Sequence, residues 1–168
     1  VFERLLTDWR RAGVTVVYED EHPLLADKPQ GMVVHADETE KVNTLINHIQ
    51  AYLYQKREWN PRWENAFAPA LCNRIDRNTG GMVIAAKNAE TLRIINEKIR
   101  LREIDKRYLC ITVGRPRPPE GRIECFLLKD EQKKQVSVYH KPVPGGKTAV
   151  TDYRTLETRG ELSLVEVG

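Results

Sequence analysis

The chain has 168 residues, 40% apolar and 30% charged, a balance that suits one globular domain with a sizeable core. No apolar run approaches the roughly 18 residues that span a bilayer, and no signal-peptide pattern follows Val1, so a start inside a longer gene product is expected. Cys72, Cys110 and Cys125 and the histidines His22, His35, His48 and His140 lack Cys-x-x-Cys or paired-ligand spacing, which argues against a disulfide framework and a metal site and for a reducing cytoplasm.

Phe2, Leu5, Leu6 and Trp9 recur at helical spacing, which predicts a short amphipathic helix ended by Gly13; residues 1–13 form a linker helix or N-terminal extension. Val14–Tyr18 and Leu24–Ala26 read as strands on either side of a turn at Glu19–His22. Lys28-Pro29-Gln30-Gly31 makes a loop, and Met32–His35 a further extended run. Val42, Leu45, Ile46, Ile49 and Leu53 predict an amphipathic helix. A loop follows, Trp59-Asn60-Pro61-Arg62-Trp63, whose indoles suit base stacking or packing onto their own domain. Ala70–Ile75 and Met82–Ala86 flank a tight polar segment, and the second flank reads as a buried strand. Leu92, Ile95 and Ile99 mark a helix after Asn88. In Tyr108–Val113, Leu109, Ile111 and Val113 share one face and Tyr108, Cys110 and Thr112 the other, so the Tyr108 ring is expected to stay free of a core that takes the aliphatic row. Turns follow at 116–121 and 142–146, with a charged excursion at Lys129–Lys134. Thr148–Leu156 and Leu162–Val167 are strands joined at Arg159-Gly160. Many short strands with two or three helices give an α+β fold.

The net charge of +3 is only mildly basic, but Lys98, Arg100, Arg102, Lys106, Arg107, Arg115 and Arg117 crowd one stretch. A phosphate backbone favours such a surface; so does plain solvation of a helix end and loop.

The chemistry concentrates in Asn73-Arg74-Ile75-Asp76-Arg77-Asn78-Thr79-Gly80-Gly81. It sets one carboxylate between two arginines in a glycine-rich turn. On an extended segment Arg74 and Asp76 share a face. An arginine near an aspartate favours the ionised carboxylate, the form a nucleophile needs. The residues alone favour an aspartate that caps a turn and pairs with arginine on the surface.

Asn73–Gly81 resembles the signature loop of the RluA-type RNA pseudouridine synthases: His or Asn, Arg, Leu or Ile, Asp, any two residues, Thr, Ser or Gly, Gly. The likeness continues in Val16–Asp20, in Asp27-Lys28-Pro29-Gln30-Gly31 with Val34-His35, in Met82–Asn88, in Lys106-Arg107-Tyr108-Leu109 through Gly114, and in Gly146-Lys147 through Tyr153. Any one element is weak; the ordered set is specific and covers nearly everything from Val14. The resemblance implies the family's catalytic fold over 14–168, a mixed, mainly antiparallel sheet flanked by helices. It gives Asp76 the role of covalent catalyst, Arg74 that of RNA binding and base flipping, and Tyr108 that of lying against the flipped base and assisting a proton step. Arg74, Arg77, Asn78, Thr79, Lys106 and Arg107 are the expected RNA contacts. The family pattern continues beyond a strand like Leu162–Val167 with a Gly-Arg-Thr-His-Gln-Ile-Arg-like segment whose arginine pairs with the catalytic aspartate, so the domain is expected to be incomplete at its C-terminus.

The implied activity turns uridine into pseudouridine in RNA, ribosomal ahead of transfer RNA, in the cytoplasm. The base exchanges a nitrogen–sugar bond for a carbon–sugar bond; no atom enters or leaves, so no cofactor and no metal are expected. The reaction asks for a nucleophile, a closed pocket and a platform for the ring. The competing readings are a noncatalytic RNA-binding protein on the same scaffold and a small-molecule hydrolase using Asp76.

Overall fold

The computed structural model describes Leu5 and residues 12–168, so the helix expected over 2–11 lies outside the described residues apart from Leu5. The chain divides into two compact units that meet in sequence between Glu103 and Ile104. No helix among the described residues is long and apolar enough to cross a membrane.

In the first unit β1 (Thr15–Glu19), β2 (Pro23–Lys28), β3 (Ala70–Leu71) and β4 (Gly81–Ala86) form an antiparallel sheet in the order β1-β2-β4-β3. The expected turn at Glu19–His22 is closed by Asp20, whose carboxylate accepts from the His22 N–H at 2.7 Å. Strand alternation sends Leu24, Ala26 and Lys28 inward, where all three are fully buried. Leu24, Ala26, Val83 and Ala85 pack with Leu45, Ile49 and Leu53 of α1 (Leu45–Gln55), together with Val14, Met32 and Trp59. Each buried leucine or isoleucine contributes about 1.5–3 kcal/mol. Of the two loop indoles, Trp59 joins this core and Trp63 is exposed.

Two expectations fail at the start of α1. Val42 lies outside the helix, because Thr44 takes an extended conformation and caps it, its hydroxyl accepting from the Asn47 N–H. Met32–His35 is no strand; Val33 makes only an isolated parallel bridge to Thr44. Its carbonyl and that of Val34 accept instead from the Leu45 and Ile46 N–H groups, first-turn donors that have no partner inside the helix. The second helix, α2 (Ala89–Arg100), begins as expected after Asn88, whose side chain accepts from the Thr91 N–H; Leu92, Ile95 and Ile99 are half-buried.

At the Pro23 and Ala86 ends of β2 and β4 lies a cleft of about 540 Å³, lined in part by Glu19, Lys56, Glu58, Trp59, Lys87 and Asn88. Glu19 accepts from Tyr52, Lys56 and Lys87. Burial alone would raise its carboxyl, but bonds from Lys56, Tyr52 and Lys87 outweigh burial and hold it at about 2 against an ordinary 4.5. A carboxyl lowered by folding stabilises above its unfolded value, and that contribution disappears as pH falls through the folded one. The thermal midpoint is therefore expected to drop between pH 4.5 and pH 2. Glu19→Gln should flatten that part of a calorimetric pH series.

In the second unit β5 (Tyr108–Val113), β6 (Glu120–Asp130), β7 (Gln135–Tyr139), β8 (Lys147–Arg159) and β9 (Leu162–Val167) form an antiparallel sheet in the order β5-β9-β8-β6-β7. β5 and β9 coincide with the expected strands. β6 and β7 are not foreseen, because the prolines ahead of Gly121 and the charges of Lys129–Lys134 read as turns, although Glu120–Cys125 and Gln135–Val138 alternate. The charged excursion is their hairpin turn, tied by the Asp130 carboxylate accepting from the Gln132 and Lys133 N–H groups. On edge strand β5 the expected burial is reversed. Leu109, Ile111 and Val113 are 64%, 71% and 84% exposed, whereas Tyr108 is 38% exposed and Cys110 and Thr112 are half-buried. The Cys110 and Thr112 row lies opposite Val165 and Ser163 of β9, which are buried. Alternation defines two rows; it does not say which one is covered.

Candidate functional site

The site is built where β2 ends and β4 begins, at the register pair Lys28 and Gly81. Lys28 falls in the inward phase of β2, so its ammonium is buried and must find acceptors. It donates to the carbonyls of Pro29 at 3.0 Å, Met32 at 2.7 Å and Arg77 at 3.1 Å. Burial pushes this amine below the ordinary lysine value, and the negative charge of Asp76 opposes the shift. The Gly31 N–H donates to the same Arg77 carbonyl at 2.7 Å. Two loops far apart in sequence are thus locked together one residue after Asp76. Gly80 permits the approach: a Cβ there would stand 3.3 Å from the Gln30 side chain and 3.4 Å from the Lys28 carbonyl oxygen. Gly81 follows at φ +132°, a conformation side chains resist.

Upstream, β3 is shorter than expected. The last main-chain ladder bond runs from the Cys72 N–H to the Ile84 carbonyl. Asn73 then replaces the ladder with its side chain: its Oδ1 accepts from the Ile84 N–H at 2.8 Å and its Nδ2 donates to the Met82 carbonyl at 3.4 Å. Alternation holds past that point, with Ile75 against the core and Arg74 and Asp76 exposed on the outer side. The Thr79 N–H closes the turn onto the Asp76 carbonyl at 3.0 Å. Asn78 is exposed and Thr79 half-buried.

Arg74 and Asp76 are both exposed, as a shared face requires, but they do not pair. Among the described residues neither side chain has a hydrogen bond or ion pair. Arg74 instead bears on His35, whose imidazole is held below its ordinary value by burial and then by that positive charge. Arg77 turns away from Asp76 and donates to Asp37 Oδ2 at 2.7 Å and to the Thr39 hydroxyl. Asp37 lies far below the usual carboxylate range, held there by the Thr39 hydroxyl, the N–H groups of Glu40 and Thr39, and Arg77.

Five of the expected site residues (Arg74, Asp76, Arg77, Asn78 and Thr79) therefore share one loop of the first unit. Tyr108, Lys106 and Arg107 belong to the second, where all three are exposed and Tyr108 stands opposite Val167 of β9. Much of the basic stretch is neutralised: Lys98 pairs with Glu103, Arg100 with Glu97, and Arg107 with Glu166 and Asp105. Sequence reasoning missed Asp37 and Thr39, and it quoted Lys28 and Asn73 within motifs without assigning them a supporting role. A lysine in the inward phase of a strand was the legible signal for Lys28, and Asp-x-Thr, a local turn pattern, for Asp37 and Thr39. No group of three or more His, Cys, Asp and Glu side chains among the described residues is placed to hold a metal.

A family model described as RNA pseudouridylate synthase matches residues 22–168, from the β1–β2 turn to the last residue. The chain belongs to that family. Among its relatives, the ribosomal large subunit pseudouridine synthase D of Borreliella burgdorferi is 32% identical over 157 residues, covering 90% of this chain and 45% of that protein. The chloroplastic RNA pseudouridine synthase 2 of Arabidopsis thaliana is 28% identical over 183 residues, covering 90% and 42%. The chain thus spans about half the length of the curated relatives it matches. The solved structure of human RNA Pseudouridylate Synthase Domain Containing 4 superposes with a TM-score of 0.73 at 20% identity, over 99% of this chain and 61% of that one. The fold is accordingly the α+β pseudouridylate synthase fold.

Proposed function

We propose that this protein isomerises uridine to pseudouridine in structured RNA, with Asp76 as the covalent catalyst. One observation carries the reading: the Asp76 carboxylate is exposed and unengaged among the described residues, while the backbone just beyond it is fixed by Lys28 and Gly31. An aspartate that merely capped a turn would spend its oxygens on neighbouring N–H groups, as Asp20, Asp37 and Asp130 do. Asp76 keeps both oxygens available to bond to the base or the sugar of an extruded nucleotide. It holds one fragment while the base turns and rejoins through carbon.

Extrusion costs a few kcal/mol, on the order of what stacking on one aromatic ring returns, about 1–3 kcal/mol. Tyr108 is the proposed ring. Arg74, exposed and unpaired among the described residues, is the proposed flipping and backbone contact, with Asn78, Thr79, Lys106 and Arg107 as further contacts. Arg77, expected in that set, is already engaged by Asp37 and Thr39. Ribosomal RNA is the proposed substrate ahead of transfer RNA, in keeping with the names of relatives. The cytoplasm is the proposed compartment, in keeping with three free cysteines.

Pseudouridine mapping of ribosomal and transfer RNA in a deletion strain tests the reading. At least one site is expected to vanish and to return with the wild-type gene. A full set of pseudouridines in the deletion strain would favour a noncatalytic RNA-binding protein. Tyr108→Phe keeps the stacking surface and loses the hydroxyl. It is expected to leave RNA affinity within about twofold while slowing turnover, read by binding titration and single-turnover rates. Lost affinity with turnover intact would remove Tyr108 from its role.

A further inference from the structure

We propose that Asp37 is a positioning residue for Asp76, acting through Arg77; this rests on Asp76 being the catalytic carboxylate. The segment from Asp37 to Asn43 is folded on itself before it touches the site. Asp37 Oδ1 accepts from the Thr39 N–H at 2.8 Å, the Thr39 hydroxyl at 2.7 Å and the Glu40 N–H at 2.8 Å. Glu40 accepts in turn from the Val42 and Asn43 N–H groups, both at 2.8 Å. The Asn47 side chain donates from the first turn of α1 to the Lys41 and Val42 carbonyls. The segment is therefore tied both to itself and to the first turn of α1.

Asp37 divides its oxygens between two tasks. One organises its own segment; the other, Oδ2, accepts from Arg77 at 2.7 Å. Arg77 is consequently gripped at both ends, its carbonyl by Lys28 and Gly31 and its guanidinium by Asp37 and Thr39. With the residue after Asp76 unable to turn, the backbone that aims the catalytic carboxylate loses most of its freedom. Asp37 stays ionised far below neutral pH, so the grip holds wherever the protein works.

The test uses the full-length protein in single-turnover and multiple-turnover assays on its RNA, with variants Asp37→Ala, Asp37→Asn, Asp37→Glu, Arg77→Ala and the double variant Asp37→Ala/Arg77→Ala. A misaimed reacting group typically costs up to about a hundredfold. Asp37→Ala and Arg77→Ala are each expected to lower kcat about tenfold or more with KM and RNA affinity within about twofold. The double variant should be no worse than the poorer single one, since both cut the same link. Asp37→Glu should recover part of the rate. If Asp37→Ala does not fold, Asp37→Asn, which keeps shape and volume, carries the same expectation. Unchanged kcat with tighter RNA binding in Asp37→Ala would overturn the proposal and make Arg77 a restrained phosphate contact; so would losses that multiply in the double variant. Asp76→Ala run alongside separates the two readings: if it turns over, the catalytic assignment fails, whereas if it is inactive and Asp37→Ala matches the parent, only the positioning role fails.

Discussion

Asp76→Ala is expected to abolish pseudouridine formation, a loss of at least about a thousandfold in turnover, with RNA affinity within about twofold of the parent. The asymmetry follows from where the carboxylate stands. It is exposed and takes no part in a hydrogen bond or ion pair among the described residues; its removal takes a favourable charge from the Lys28 ammonium but leaves that group its three carbonyl acceptors, so the fold should persist. In the proposed reading affinity for RNA rests on cations and on stacking, neither of which changes. What disappears is the carboxylate proposed to bond to the nucleotide. Asp76→Asn should be equally inactive, since the amide keeps the shape and lacks the nucleophilic oxygen. Tritium release from labelled uridine in RNA measures the first quantity and filter binding the second. Product formation by either variant at a tenth of the parental rate or faster (~0.1 of wild type) would sink the covalent role.

Lys28→Met is expected to cost about 3 kcal/mol of stability, the larger structural effect. Methionine matches the length and fits the apolar surroundings of Leu24 and Ala26. It also removes the cost of burying a cation, which lowers the net effect. Against that, three carbonyls, those of Pro29, Met32 and Arg77, lose their shared donor inside the protein. For a chain of this size the thermal midpoint should fall by about 6–12 °C. Turnover should fall further than the unfolded fraction accounts for, because the Arg77 carbonyl then keeps only its bond from Gly31. Calorimetry and single-turnover rates at a temperature where both proteins are folded separate the two effects. An unchanged midpoint would mean that water or backbone adjustment replaces the ammonium.

The fold was legible wherever the chain obeys one period. β5 and β9 and the helix after Asn88 have uninterrupted alternation or helical spacing, and they lie where expected. The pattern failed where tertiary bonds replace local ones. Met32–His35 looks extended, yet its carbonyls serve the free donors of α1. β6 and β7 do alternate, Glu120, Arg122 and Glu124 against Ile123 and Cys125, and Val136 and Val138 against Gln135 and Ser137, but the prolines before β6 and the Lys129–Lys134 charges between the two strands read first as turns. The exposure of Leu109, Ile111 and Val113 contradicts hydropathy outright, because periodicity carries no information on what covers a face. At the site, the residues with chemistry were visible as a motif, and so were Lys28 and Asn73, but what those two hold was not legible. Lys28 is separated from Arg77 by 49 positions and Asp37 by 40, distances at which a sequence pattern has no physical handle.

Asn73 has a consequence for how the protein ages. Carboxamides of asparagine hydrolyse slowly in warm water, and such residues are thermolabile for that reason. Conversion to a carboxylate here would keep the acceptor for the Ile84 amide but turn the group facing the Met82 carbonyl from a donor into a second acceptor. One deamidation would thereby loosen the loop that carries Asp76 from β4 while leaving Asp76 itself intact, so stored material would lose rate in step with the conversion of Asn73 to aspartate.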